Sequence, residues 1–120
     1  MSDRDTRLYV EDMLEFCDLA LAYAAGVSRE ALDADRMRYD AILRNLELIG
    51  EAATHVGPDD RALAPGVPWR EIIGTRNRVA HGYLGIAADT VWSILRDDLP
   101  LLRLALVTLL EVMPPSPPLS

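Results

Sequence analysis

The sequence has one cysteine and no lysine, and it lacks any long uninterrupted apolar run. Because a single thiol has no second thiol to pair with, Cys17 excludes a disulfide within the chain. The apolar runs fall well short of the ~20 residues that a transmembrane helix needs, and no charged-then-apolar leader precedes them. The sequence therefore predicts a soluble, cytoplasmic protein with no membrane partner.

The charge balance excludes one way of binding nucleic acid. Nineteen acidic residues face twelve basic ones, which gives a formal net charge of −7. A protein that grips nucleic acid through bulk counterion release normally needs a basic face, so any such contact here must be local. All twelve basic residues are arginine, which GC-rich codon usage explains more readily than a preference for phosphate.

Length and periodicity indicate one helical domain. The chain has 120 residues, half of them hydrophobic, which suits a single hydrophobic core. Apolar residues recur at three- and four-residue spacing almost throughout, and no alternation typical of strands appears. We predict an all-α, single-domain bundle of about four to five helices over residues 1–112. A proline-rich tail over residues 113–120 is predicted to be disordered or polyproline-like.

The predicted helices cover residues 4–24, 29–33, 35–56, 68–81 and 89–112, with at most one turn, near residues 61–64, in the connection 57–68. Gly50 lies inside the third helix at a cost of roughly 1 kcal/mol against alanine, which predicts a close helix contact there. Pro100 predicts a kink in the last helix. From Leu99 onward that helix is apolar nearly all round, which predicts cover by its own core and by a second chain.

One short segment concentrates the polar chemistry of the chain. It reads Arg76, Asn77, Arg78, Val79, Ala80, His81, Gly82, Tyr83. A guanidinium can hold a phosphodiester, and its developing charge, through paired hydrogen bonds. An imidazole can move the proton of an attacking or leaving hydroxyl near neutral pH. The segment therefore indicates phosphate chemistry centred on Arg76 and His81.

The spacing of Arg76, His81 and Tyr83 closely resembles the signature of HEPN-domain ribonucleases, in particular the HepT-like toxins of prokaryotic toxin–antitoxin pairs. Further blocks follow the order of that family: residues 44–53 (RNLELIGEAA), 68–74 (PWREIIG), 91–92 (VW) and 98–100 (DLP). The resemblance covers about residues 4 to 112. It implies a HEPN-like helical domain that forms a homodimer, with the motif at the cleft between the two subunits.

The resemblance also implies an activity and a partner. The activity is metal-independent endoribonuclease cleavage in which the 2′-hydroxyl of the RNA substrate attacks, Arg76 stabilises phosphoryl charge and His81 moves a proton. Asn77 and Arg78 would support the site. The partner is an MntA-like nucleotidyltransferase antitoxin that neutralises the toxin by binding and by transferring AMP to Tyr83. No cofactor is implied, and no cluster of His, Cys and carboxylate residues has metal-ligand spacing.

Ordinary structural roles remain open for the same residues. Arg76 falls in the middle of the apolar face of its predicted helix, where an ion pair with Glu51 or Glu47 is the alternative to catalysis. His81 could be a helix-end residue, Asn77 a cap, Arg78 a solvated charge or an RNA-backbone contact, and Tyr83 part of the core. A regular helix also turns His81 about 140° away from Arg76. Joint action then needs local unwinding at Gly82 or a second copy of the chain.

Aromatic residues outside the motif are interpreted as structural. Trp69 and Trp92 are expected to anchor the core, and His55 to be a surface residue favoured by the dipole at a helix end. Two other classes of function also stay open. One is a non-catalytic helical module that binds a nucleotidyltransferase and shapes its nucleotide site, and the other is a purely structural helical dimer.

Overall fold

In the computed structural model, which describes residues 5–80 and 86–115, all regular secondary structure is helical. The elements are α1 (Thr6–Ala24), α2 (Arg29–Ala34), α3 (Arg36–Ala53), α4 (Pro58–Ala62), α5 (Trp69–Ala80), α6 (Ala88–Ser93), a π-helical turn (Ile94–Asp98) and α7 (Leu99–Val112). Because α6, the π turn and α7 are continuous, the described residues form six helices. The all-α prediction is confirmed, and the short α4 is the helix that the predicted four to five did not include.

One hydrophobic core holds the bundle together. Helix α3 packs along α1, α5 packs on the other side of α3, and α7 packs on α1. Most of the buried apolar side chains come from three helices, and they include Val10, Met13, Cys17 and Ala20 of α1, Ile42, Leu46, Ile49 and Ala53 of α3, and Leu99, Leu102, Leu106 and Leu109 of α7. The spacing of Ile42, Leu46, Ile49 and Ala53 in the sequence predicts that they form the buried face of the third helix, and the structure confirms all four. Each buried Leu or Ile contributes roughly 1.5–3 kcal/mol relative to an exposed one.

Side-chain caps determine where the first three helices begin. Asp5, Ser28 and Asp35 precede α1, α2 and α3, and each side chain accepts a hydrogen bond from a backbone N–H two or three residues further on. The donor–acceptor distances are 3.1–3.2 Å. Such caps satisfy backbone donors that have no partner inside the helix, and each typically stabilises a helix by about 1 kcal/mol.

Arginine side chains satisfy the last carbonyls of three helices, which have no donors of their own in the helix. The guanidinium groups of Arg7, Arg38 and Arg61 donate to the carbonyl oxygens of Leu110, Tyr23 and Ala53, at 2.9, 2.8 and 3.1 Å. These bonds tie the end of α7 to α1, the end of α1 to α3 and the end of α3 to α4. Three of the twelve arginines therefore stabilise the fold by capping helix ends.

The connection between α3 and α5 is more ordered than the sequence predicts. The expected turn near residues 61–64 is present, because the Ala64 N–H donates to the Arg61 carbonyl at 3.0 Å, but helix α4, at Pro58–Ala62, leads into it and was not predicted. Proline suits the first position of a helix, where its missing N–H costs nothing. The guanidinium of Arg61 lies over the Trp69 ring, with Cζ 5.6 Å from the centroid, while its Nε donates to the Val56 carbonyl at 2.7 Å. These contacts direct the chain into α5.

Helix α3 is shorter than predicted, because its last turn tightens. It ends at Ala53 instead of residue 56. The backbone N–H groups of His55 and Val56 donate to carbonyls three residues back, at 3.0 and 3.1 Å, which is 3₁₀ rather than α-helical geometry. His55 therefore lies in the turn after the helix.

The irregularity expected at Pro100 takes the form of a π turn. The backbone N–H of Leu99 donates to the carbonyl of Ile94, five residues back. A proline ring clashes with the carbonyl four residues before it, and the wider turn relieves that clash. Helix α7 then ends at Val112, as predicted, and Met113 after it is still buried. No helix among residues 5–80 and 86–115 is long and apolar enough to cross a membrane.

Candidate functional site

Helix α5 lies so close to α3 at Gly50 that no other residue fits. A Cβ at Gly50 would lie 2.3 Å from the Arg76 Cβ and 3.0 Å from the carbonyl oxygen of Ile72. Both atoms belong to or adjoin the α5 backbone, so neither can move aside without moving the helix. The predicted close contact at Gly50 is confirmed. It holds the base of the Arg76 side chain directly against α3.

The guanidinium of Arg76 forms an ion pair with the residue that follows Gly50. Its Nη2 lies 2.7 Å from Oε2 of Glu51, and the two side chains are 35% and 48% exposed. Glu51 is therefore confirmed as the ion-pair partner of Arg76. The pair lies at the surface of the α3–α5 junction and not inside the core. The other candidate partner, Glu47, pairs with Arg44 at 3.2 Å.

Asn77 contacts the same guanidinium and Arg78 does not. The Arg76 Nη1 donates to Oδ1 of Asn77 at 3.2 Å, whereas Nη2 of Arg78 donates to the hydroxyl of Thr75 at 3.2 Å. Both Asn77 and Arg78 are exposed. A guanidinium carries five N–H donors. The bonds to Glu51 and Asn77 use two of them and set the orientation of its plane.

Two predicted site residues, His81 and Tyr83, lie outside the residues that the structure describes, as does Gly82. The described part of α5 ends at Ala80. A Cβ added at Gly74, three residues before Asn77, would meet no atom within 4 Å, so this flank of α5 is open.

His55 joins this cluster although the sequence interpretation did not place it there. Its Nε2 lies 3.9 Å from Oε1 of Glu51, within ion-pair range when the imidazole is protonated. Its ring also stacks on Tyr9 of α1. We expected His55 to be a surface residue, and its side chain is indeed 42% exposed. The contacts with Glu51 and Tyr9 were not predicted. The four-residue spacing from Glu51 was the available signal, because such residues share a helix face.

An apolar cavity lies on the other side of α5. It has a volume of about 290 Å³ and is lined by residues that include Ile72 and Thr75 of α5 and Leu101 and Leu102 of α7. Arg76, Glu51 and His55 do not line it. The charged cluster is an open surface site, because its three side chains are 35–48% exposed. Within residues 5–80 and 86–115, no group of three His, Cys, Asp or Glu side chains could hold a metal ion.

Residues 13–109, which include the whole motif from Arg76 to Tyr83, match the family model of the HepT-like ribonucleases. The chain belongs to this family. Arg76, Asn77 and Arg78 are the predicted site residues that the structure describes, and they lie inside the matched region.

Individual HepT-like relatives cover nearly the same region. A protein of Methanocaldococcus jannaschii is 33% identical over 103 residues, which are 86% of this chain and 94% of that protein. A protein of Thermococcus cleftensis named "Probable ribonuclease HepT" is 31% identical over 100 residues, 83% of this chain and 91% of its own length. A protein of Caldanaerobacter subterraneus is 32% identical over 94 residues, 78% and 84% of the two chains. The first and third carry RNase names, and no solved structure matches the chain.

Proposed function

We propose that this HepT-like protein is a metal-independent endoribonuclease, the toxin of a toxin–antitoxin pair. One observation supports the proposal: Arg76, which lies in the region matched by the HepT-like family model, holds a partly exposed guanidinium in a fixed position at the surface. The close approach at Gly50 holds the base of the side chain, and Glu51 and Asn77 hold its end. An arginine so oriented is suited to bind a phosphodiester without first losing side-chain freedom.

The proposed reaction uses a nucleophile that only RNA supplies. The 2′-hydroxyl oxygen attacks the adjacent phosphorus while the bond from phosphorus to the 5′-oxygen breaks. His81 either takes the proton of the attacking hydroxyl or donates one to the departing oxygen, and Arg76 stabilises the charge on the phosphoryl oxygens. The products are a 2′,3′-cyclic phosphate and a 5′-hydroxyl. DNA, which lacks the 2′-hydroxyl, is inert.

In the absence of RNA, the Glu51 carboxylate occupies the part of the Arg76 guanidinium that would bind the substrate phosphate. An exposed ion pair of this kind typically contributes less than about 1 kcal/mol, so an incoming phosphate can displace or share the carboxylate at little cost. Until RNA arrives, the pair keeps the guanidinium turned toward α3. The acidic surface of the chain, with a net charge of −7, then discourages binding of nucleic acid elsewhere.

A second copy of the chain completes the proposed site. Leu101 and Leu104 lie on one stripe of α7 and are 69% and 61% exposed. Leu101 also borders the apolar cavity beside α5, where Ile72 is only half-buried. Apolar surface of this kind is typical of a contact between chains. Sedimentation is expected to report about twice the 13.3 kDa chain mass.

An MntA-like nucleotidyltransferase is the proposed antitoxin, with Tyr83 as the residue that receives AMP. The adenylyl phosphate would bring negative charge and bulk to the motif in which Arg76 and His81 act, and it would compete with substrate for the guanidinium. The intact mass of the co-expressed protein is expected to rise by one or more AMP units, and Tyr83→Phe to abolish the rise. The modified protein is expected to lose its RNase activity.

Cleavage of RNA by the purified protein in the presence of EDTA tests the proposal. We expect a 2′,3′-cyclic phosphate product, and a loss of at least about 100-fold in kcat/KM for both Arg76→Ala and His81→Ala. Arg103→Ala is the matched control, because Arg103 of α7 forms a comparably exposed pair with Asp18 of α1, away from the helices that carry Arg76 and Glu51. Cleavage that survives His81→Ala, or that is lost equally in Arg103→Ala, would contradict the mechanism.

A further inference from the structure

A stack of two rings lies beside the Arg76 cluster, and neither ring belongs to the motif. The imidazole of His55 and the phenol ring of Tyr9 have centroids 4.4 Å apart and planes inclined by only 13°. Tyr9 is half-buried in α1, whereas the His55 side chain is 42% exposed. Since Tyr9 covers one face of the imidazole, the exposed surface of His55 belongs to its other face and its edges.

One carboxylate connects this stack to the guanidinium. Oε2 of Glu51 lies 2.7 Å from Arg76 Nη2, and Oε1 of the same group lies 3.9 Å from His55 Nε2. The guanidinium and the imidazole are therefore neighbours on either side of Glu51. A nucleotide presents a phosphate, which a guanidinium can bind, and a flat base, which can stack on an aromatic ring. This surface therefore has a guanidinium that can bind phosphate next to an aromatic ring on which a base can stack.

We propose that His55, backed by Tyr9, is a stacking platform for an unpaired base of the RNA, next to the phosphate held by Arg76. The inference rests on the proposed function, because it takes Arg76 as the phosphate ligand. It adds a base-binding subsite and a substrate class, single-stranded RNA, since a base inside a duplex cannot offer its face to a side chain.

The contact with Tyr9 prepares the imidazole for stacking. A ring already held against another ring loses little rotamer freedom when a base binds to its open face. Of the other aromatic side chains, Trp69 is buried and its indole N–H donates to the Ala64 carbonyl at 3.2 Å, so it serves the core as predicted. The platform therefore comes from His55 instead of a tryptophan.

The acidic charge of the chain makes a stacking contact more important. With a net charge of −7, the protein cannot obtain most of its affinity from counterion release. Stacking of a base on an aromatic side chain depends little on net charge, and it typically accounts for about a 5- to 100-fold change in binding per base. One stacked base beside one bound phosphate would give local affinity on an otherwise unfavourable surface.

An extended strand fits this surface better than a free mononucleotide does. Sites for small molecules are usually concave and enclose most of the ligand. The cavity of about 290 Å³ is lined by neither His55 nor Arg76, so the stack and the guanidinium lie on open surface. A strand can cross such a surface and continue in both directions.

Binding of a 2′-O-methyl single-stranded oligonucleotide, followed by fluorescence anisotropy, tests the inference separately from catalysis, because this RNA resists cleavage. We expect His55→Ala and His55→Gln to weaken binding about 5- to 100-fold, and His55→Phe, which keeps a flat ring, to stay within about twofold of the original. Thr54→Ala, in the same turn, is the matched control and should bind normally. Equal loss in His55→Phe and His55→Ala would overturn the platform, because it would assign the effect to the imidazole nitrogens.

An abasic oligonucleotide identifies the contact directly. Removal of the base that stacks on His55 should weaken binding by the original protein as much as His55→Ala does, and the two changes together should cost no more than either alone. Additive losses at every abasic position would overturn the inference. Displacement of the oligonucleotide by nucleoside monophosphates at equal concentration would also overturn it, in favour of a free nucleotide.

The two proposals fail in different ways. If the protein binds the oligonucleotide through His55 but leaves unmodified RNA intact, the ribonuclease proposal is wrong and the platform stands as a binding site. If it cleaves RNA, and His55→Ala changes neither binding nor cleavage, only the platform is wrong.

Discussion

Two of the arginine–carboxylate pairs that join helices of this bundle resemble each other closely, and only one of them belongs to the candidate site. Arg76 of α5 pairs with Glu51 of α3 at 2.7 Å, and Arg103 of α7 pairs with Asp18 of α1 at 2.5 Å. The exposures are alike, 35% and 48% for the first pair and 43% and 47% for the second. Distance and burial do not distinguish the two pairs.

The neighbours of the two pairs differ. Arg76 has Asn77, an imidazole and a required glycine around it, and it lies in the region that matches the HepT-like family model. The pair at Asp18 adjoins Cys17, and burial, with a further contribution from the Asp18 carboxylate, raises the pKa of that thiol to about 12. A thiol with so high a pKa stays protonated near neutral pH and is a poor nucleophile. An exposed ion pair by itself therefore does not identify a functional site, and the neighbouring groups that can bind a ligand or react make the difference.

Exchange of each arginine for lysine should give the largest contrast between the pairs. Lysine keeps the charge but loses the planar fork that binds two phosphoryl oxygens at once. We expect Arg76→Lys to lower kcat/KM for RNA cleavage by about 10- to 100-fold. Arg103→Lys, measured in the same assay, should stay within about twofold, because an exposed pair contributes under about 1 kcal/mol. If both variants keep full activity, Arg76 does not hold the phosphate through its fork.

The two helical glycines near Arg76 should respond in opposite directions to alanine. Gly50→Ala places a Cβ within 2.3 Å of the Arg76 Cβ and must push α5 away from α3. We expect a loss of about 1–3 kcal/mol in the free energy of unfolding, measured by urea denaturation. Gly74→Ala meets nothing within 4 Å and should stabilise the protein by up to about 1 kcal/mol through helix propensity. A Gly50→Ala protein as stable as the original would show that the two helices are not in contact there.

Removal of the Glu51 charge should produce the smallest effect, and in the direction of tighter binding. If the carboxylate holds the place of the substrate phosphate, Glu51→Gln frees the guanidinium, and KM for RNA should fall by up to about fivefold. Glu47→Gln is the matched control, since Glu47 pairs with Arg44 one turn earlier on the same helix. A rise in KM for Glu51→Gln would show that Glu51 helps to bind RNA instead of competing with it.

Local patterns in the sequence were enough for most of the fold. The apolar spacing of Ile42, Leu46, Ile49 and Ala53 predicted the buried face of α3, and the second predicted helix began at residue 29, where α2 begins. Such features depend on residues within one or two turns of each other. Helix α4 and the early end of α3 escaped prediction, because they depend on Arg61, which reaches across to Trp69 and to the carbonyls of α3.

The candidate site likewise combines features that the sequence predicted with features that only the structure shows. The sequence by itself determined the family, the motif and the need for a close contact at Gly50, because these follow from residue identity and spacing along one chain segment. Only the tertiary structure decided that Glu51 pairs with Arg76 at the surface, and that His55 turns from the end of α3 onto Tyr9. Those contacts join three helices that are distant in sequence, and their geometry depends on how closely the helices pack, which no local pattern specifies.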